Sequence, residues 1–108
     1  MGDAMYIKKT LSLTTDGAGA ASGPVRAYPR VARLLNVKVA DAQFDDLYDL
    51  SVTDDDGRTL YSHAAIAAAV DEGPVGGAAV AVGKAPFTVT VANGGATQTG
   101  TIILLLEA

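Results

Sequence analysis

The sequence predicts an all-β protein, an antiparallel β-sandwich or a jelly-roll-like barrel with at most one short helix. Three observations carry that reading. Short apolar runs with period-2 alternation recur along the chain, as in Phe87-Thr-Val-Thr-Val-Ala92. Clusters that favour chain reversal separate them, at Asp16-Gly17, at Asp54-Asp55-Asp56-Gly57 and at Asn93-Gly94-Gly95. Glycine contributes 12 of the 108 residues, which disfavours long helices. Many short strands joined by such turns fit a sandwich or barrel.

The length fits one domain, residues 1–108, able to bury roughly 65% of the surface of its unfolded chain. With no Trp and 6% aromatic content, the core must be mainly aliphatic.

Taken in order, the first predicted strand spans residues 5–13, with Ile7, Leu11 and Leu13 at strand spacing beside Lys9 and Thr10. Asp16-Gly17 makes a turn, and residues 20–24 read as a small-residue loop. A short segment over 25–28 ends at Pro29, which has no N–H to donate and belongs at an edge or break. Residues 31–40 form the second strand, with Val31, Arg33, Leu35, Val37 and Val39 on one parity and Leu34, Asn36 and Lys38 on the other. Arg33 is the odd member of its row, expected at the sheet end with its head in water.

An acidic connector, 41–46, contains Phe44. Tyr48, Leu50 and Val52 then alternate with Asp49 and Ser51 in a strand over 47–53. Asp54 to Gly57 closes a β-hairpin onto residues 58–62. From 62 to 84 the composition shifts to Ala, Gly and Val. Residues 64–70 have helix propensity, with Ile66 and Val70 one turn apart, and 78–82 make a further short strand. The whole stretch reads as a long connection, or an arm packing on a neighbouring subunit. At the C-terminus, residues 87–92 and 101–106 read as a strand pair about Asn93-Gly94-Gly95. The second member is apolar on both faces and needs cover on both.

Composition and motifs exclude much chemistry. The formal charge of −4 argues against nucleic acid, whose phosphates call for clustered Lys and Arg. The one local basic concentration, Arg26 to Arg33, suits a solvated strand edge or contact with an acidic protein surface. No apolar run approaches the roughly 18 residues of a membrane span, and no signal-peptide pattern opens the chain. Absence of Cys excludes thiol catalysis and disulfides and fits assembly in a reducing cytoplasm.

His63 is the only histidine; with Ser62 or Ser51 and an aspartate it evokes a triad, but no nucleophile elbow accompanies it. Asp54-Asp55-Asp56 invites a calcium reading without the EF-hand spacing, and a solvated hairpin tip is preferred. Asp41, Asp45, Asp46 and Asp49 read as a solvated acidic loop rather than glycosidase carboxylates. Gly73 to Gly77 lacks the phosphate-cradle patterns. The expectation is therefore a non-enzyme with no metal or cofactor.

Three stretches together resemble small structural proteins of tailed bacteriophages. They are residues 11–19, the block 32–61 with Phe44-Asp-Asp, Asp49-Leu-Ser-Val-Thr and Gly57-Arg-Thr-Leu-Tyr, and residues 89–101 with Gly94-Gly95 and Gly100-Thr101. Ala32 stands where that family is expected to have Gly, and residues 62–84 do not match. The resemblance implies a capsid decoration or cement protein on the virion exterior. It would be assembled in the host cytoplasm, self-associate as a dimer or trimer, and bridge neighbouring major capsid subunits. A spike or fibre base, or a module binding a host glycan or receptor, is the alternative. On this reading the candidate intersubunit contacts are Ile103 and Leu105, from the second apolar row of the last strand, with Arg26 and Arg30 from the basic stretch.

Overall fold

The computed structural model describes residues 6–27, 30–42, 44, 47–66, 71–72 and 81–107. Among these there is no helix. Nine strands run in the order β1 (Tyr6–Thr14), β2 (Ala21–Val25), β3 (Val31–Ala42), β4 (Tyr48–Thr53), β5 (Thr59–Ile66), β6 (Asp71–Glu72), β7 (Ala81–Lys84), β8 (Phe87–Ala92) and β9 (Thr99–Glu107). They form two antiparallel sheets packed face to face, a sandwich and not a closed barrel. One sheet has the order β1-β9-β3-β6, with β7 also on β3; the other runs β2-β8-β4-β5. β6 and β7 occupy successive stretches of the same β3 edge, so over Val31–Leu34 and Val37–Lys38 the first sheet is four strands wide.

The core follows from alternation. Ile102, Leu104 and Leu106 of β9 are fully buried and face Phe87, Val89 and Val91 of β8, also fully buried, across the sandwich. Burying each such side chain is worth roughly 1.5–3 kcal/mol, so these two strands anchor the fold. They do not pair with each other. β8 lies between β2 and β4, while β9 lies between β1 and β3. The expected terminal hairpin is thus an arch that carries the chain from one sheet to the other. Both strands bury one face in the same core, and facing positions allow that where a shared sheet would not.

The Asp16-Gly17 turn is likewise an arch between sheets, and the two arches meet. Gly94 N–H donates to the Gly19 carbonyl (2.9 Å), Thr97 N–H to that of Asp16 (3.2 Å), and Thr15 N–H to that of Gln98 (2.8 Å). The buried Thr15 hydroxyl donates to the Gly95 carbonyl and accepts from Gln98 N–H. Gly19 has φ +82°, and a Cβ there would lie 3.0 Å from the amide nitrogens of both Gly94 and Gly95. Of these three reversals, the one at Asp54–Gly57, with Gly57 at φ 82°, is a hairpin within one sheet, joining β4 to β5.

Three further expectations are corrected. The ladder of β3 against β9 shifts between Leu34 and Asn36, so Leu35 is an extra residue that reverses the parity of the strand. Ala32 and Leu34 face the core before the bulge, Val37 and Val39 after it, and Arg33 points outward as an ordinary outer-row residue. Residues 21–24, read as loop, join Val25 in the edge strand β2; Pro24 is tolerated on such an edge, and Gly23 sits against Leu11 and Leu13. Helix propensity over 64–70 is overridden at its start, where Ala64 to Ile66 belong to β5 and Ile66 pairs with Tyr48; residues 67–70 lie outside the described residues. The strand expected at 78–82 is found as β7, and residues 73–80 are outside the description.

Candidate functional site

The outer faces of the two sheets differ in chemistry. On the β8 sheet the outward positions include the hydroxylic Ser22, Ser51, Thr53, Thr88 and Thr90 together with Pro24, Asp49 and Ala92, with Ser51 paired to Ser62 and Thr90. On the β9 sheet the outward positions are hydroxylic at one end, with Ser12, Thr14, Thr99 and Thr101, and mix apolar and basic side chains over the rest. Ile103 lies between Thr10 and Lys38, Leu105 between Lys8 and Asn36, and Glu107 between Tyr6 and Arg33. Tyr6, Val31 and Val82, three of the large apolar residues most exposed to water, lie on this sheet's outer side at 63%, 58% and 50% exposure. Arg33 donates to Glu107 at 3.1 Å, with the arginine largely exposed. Ile103 and Leu105 are half-buried. Their flanking Lys8 and Lys38 can lay aliphatic stems over them, which supplies part of the cover the sequence called for without a second chain.

Arg26 and Arg30 are not on that face. They line a separate cleft of about 330 Å³ with Lys9, Ala27, Ala85 and Pro86. Lys9 is half-buried and pairs across β1–β9 with Leu104, so it belongs to the inward row. Arg30 is held by two contacts, its Nε donating to the Ala85 carbonyl (3.1 Å) and its Nη2 to Asp55 Oδ2 (3.0 Å). The four candidate contact residues therefore fall into two places. Lys9, which the sequence reading passed over, completes the second; the signal was a lysine interrupting the apolar row Ile7, Leu11, Leu13.

Ser51, Ser62, His63 and Asp49 do converge, on a shallow groove of about 220 Å³ with Ala64, Thr90 and Ala92. The Asp49 carboxylate is committed elsewhere: Oδ1 accepts from Ala65 N–H (2.9 Å) and Oδ2 from Asn93 Nδ2 (2.9 Å). It pins the β5 backbone where Ala65 has φ 55°. Asp45 and Asp46 lie outside the described residues, and the Asp41 side chain is not described. Among the described residues no group of three or more His, Cys, Asp or Glu is placed to hold a metal ion.

Asp54 is a correction. Expected at a solvated tip, it is buried, 4% exposed. Its Oδ1 accepts from Asp56 N–H (3.1 Å) and Arg58 N–H (2.8 Å), and its Oδ2 from Arg58 Nε (3.3 Å), Arg58 Nη2 (3.2 Å) and Lys84 N–H (3.4 Å). One carboxylate thus ties the β4–β5 hairpin to β7. Burial alone would raise its pKa, but the Arg58 and Lys84 amides and the Arg58 guanidinium outweigh that and hold it below 3.8. A carboxyl whose folded value lies below its unfolded one stabilises the fold above the unfolded value. That contribution is lost as pH falls through the folded value. Asp16, lowered by the Ala20 and Ala18 amides, adds to the same trend. Melting temperature should therefore fall on acidification from about pH 5 to about pH 2. Asp54→Asn should melt lower than the parent at neutral pH and lose less on acidification. Parallel pH profiles for the two proteins would contradict the assignment.

No family model matches the chain, and a search of curated proteins returns no match.

Proposed function

We propose that the chain is a structural adhesion protein of a tailed-phage or phage-like particle. In this reading it decorates the capsid exterior as a dimer or trimer and stabilises the shell by bridging neighbouring major capsid subunits. The resemblance of residues 11–19, 32–61 and 89–101 supplies the family. The observation that carries the reading is the asymmetry of the two outer faces. One is chiefly Ser and Thr with Pro24, Asp49 and Ala92; the other has hydroxyls at Ser12, Thr14, Thr99 and Thr101 but also sets Ile103, Leu105, Tyr6, Val31 and Val82 among Lys8, Arg33 and Lys38.

Such a mixed face suits a contact formed between already folded proteins, which is about as apolar as ordinary surface and gains affinity from a few central residues. Its basic residues stand out on a chain of net charge −4 and would orient that face toward an acidic surface. Each contact can be modest, because a lattice of sites engages an oligomer many times over. The rigid sandwich behind the face keeps its rows in register, so little ordering entropy is lost on docking.

Purified particles should contain the chain in stoichiometric amount relative to the major capsid protein, measured by quantitative mass spectrometry. Particles made without it should lose genome at lower temperature. Particles that contain none of it would end this reading.

A further inference from the structure

We propose that the cleft formed by Lys9, Arg26 and Arg30 is a binding site for a carboxylate-rich segment of a partner protein. Three cations converge over a floor made by Ala27 and Ala85, both buried, and the half-buried ring of Pro86. The volume, about 330 Å³, admits one or two acidic side chains with their backbone.

Two features mark the cleft as more than scattered surface charge. Arg30 has its Nε and one Nη2 hydrogen committed to Ala85 and Asp55, which fixes the plane of the guanidinium. A guanidinium carries five N–H donors, so the remaining three are presented in a fixed orientation. Lys9 sits in the inward row of an edge strand, where each neighbour in that row is apolar. Its side chain lines the cleft with Arg26 and Ala27, which follow the end of β2. Among the described residues neither Lys9 nor Arg26 forms an ion pair. Two cations with no ion pair among the described residues, beside a third that is already oriented, favour an anion. The apolar floor favours one carried on a carbon chain over a free inorganic ion.

An inward lysine also serves to discourage edge-to-edge pairing of strands, and that is the rival account of Lys9. The inference deepens the adhesion reading by naming the chemistry of one partner contact, but its test needs no particle. Peptide binding without copies on particles would refute adhesion alone, and copies on particles without peptide binding would refute the cleft alone.

The experiment titrates the isotopically labelled full chain with a hexaglutamate peptide at low ionic strength. Hexaglutamine and inorganic phosphate are the comparison ligands. Amide shifts should saturate with hexaglutamate and centre on Lys9, Arg26, Ala27 and Arg30, and added salt should weaken binding. Lys9→Met and Arg26→Met keep the aliphatic stems and leave the Arg30 contacts intact. Each should weaken the peptide about five- to tenfold. Thr90→Ala, on the outer face of the β8 sheet, should leave binding unchanged. The proposal is overturned if phosphate or hexaglutamine binds as well as hexaglutamate, or if Thr90→Ala costs as much as Lys9→Met. It is overturned equally if Lys9→Met promotes self-association while peptide affinity stays at the parent value.

Discussion

Leu104→Ala is expected to lower the free energy of unfolding by about 2–5 kcal/mol, while Leu105→Ala, one residue along the same strand, should cost under about 1 kcal/mol. The contrast comes from parity. Leu104 is fully buried at the centre of β9, with strands on both sides and the β8 sheet across from it. Truncation there forfeits the transfer energy of the side chain and leaves a void that two sheets cannot close without distorting their ladders. Leu105 is half-buried beside Lys8 and Asn36, and water can replace what is removed. For a domain of this size the core substitution should lower the melting temperature by roughly 4–8 °C per kcal/mol. Urea denaturation followed by far-ultraviolet circular dichroism measures both variants. Equal costs at the two positions would mean that the inward and outward rows of β9 are wrongly assigned.

Gly100→Ala should destabilise by about 1–3 kcal/mol, a large effect for one methyl group. Gly100 is buried under the Phe44 ring, and a Cβ there would overlap the ring edge at Cε2 and Cζ. The same ring lies 3.3 Å from the position of a Cβ on Gly94 and stacks at a tilt on Tyr48, centroids 5.1 Å apart. The added methyl therefore expels a phenyl group from a slot floored by two glycines. Phe44→Ala should also destabilise, and the double variant should cost less than the sum of the two singles, because the clash disappears with the ring. Strict additivity in that cycle would show that Phe44 does not occupy the slot. The glycines that carry part of the phage resemblance thus have a packing role of their own in this chain.

The strand content was largely legible in the sequence because alternation reports which positions face a core. Tyr48, Leu50 and Val52, and Phe87, Val89 and Val91, are buried where their period placed them. Where each turn leads was not legible. Asp16-Gly17 and Asn93-Gly94-Gly95 reverse the chain, as does Asp54 to Gly57, yet the first two cross between sheets and the last stays within one. A residue at positive φ serves either route, so the local signal is the same; which sheet the next strand joins is decided by core packing over long range. The Leu35 bulge was hidden for a related reason. One inserted residue leaves composition unchanged but reverses parity, and Arg33 in a supposedly inward row was its only trace.

Among the candidate contacts, alternation set Ile103 and Leu105 apart from Ile102, Leu104 and Leu106, but with both rows apolar it did not say which faces outward. The separation of Arg26 and Arg30 from the Ile103 row did not follow from alternation either, since it depends on where β2 ends relative to β1. Asp54 was misjudged because a run of three aspartates reads as a solvated tip. Part of its enclosure comes from β7, thirty residues away in sequence, where the Lys84 amide donates to the carboxylate.

The most direct test of the central claim is a cryo-electron microscopy reconstruction of the native particle. It should show this sandwich on the capsid exterior, with the outer side of the β1-β9-β3 sheet, around Ile103 and Leu105, against the junctions of the major capsid protein. A sandwich seated through its Ser and Thr face, or particles with no density for it, would contradict the account.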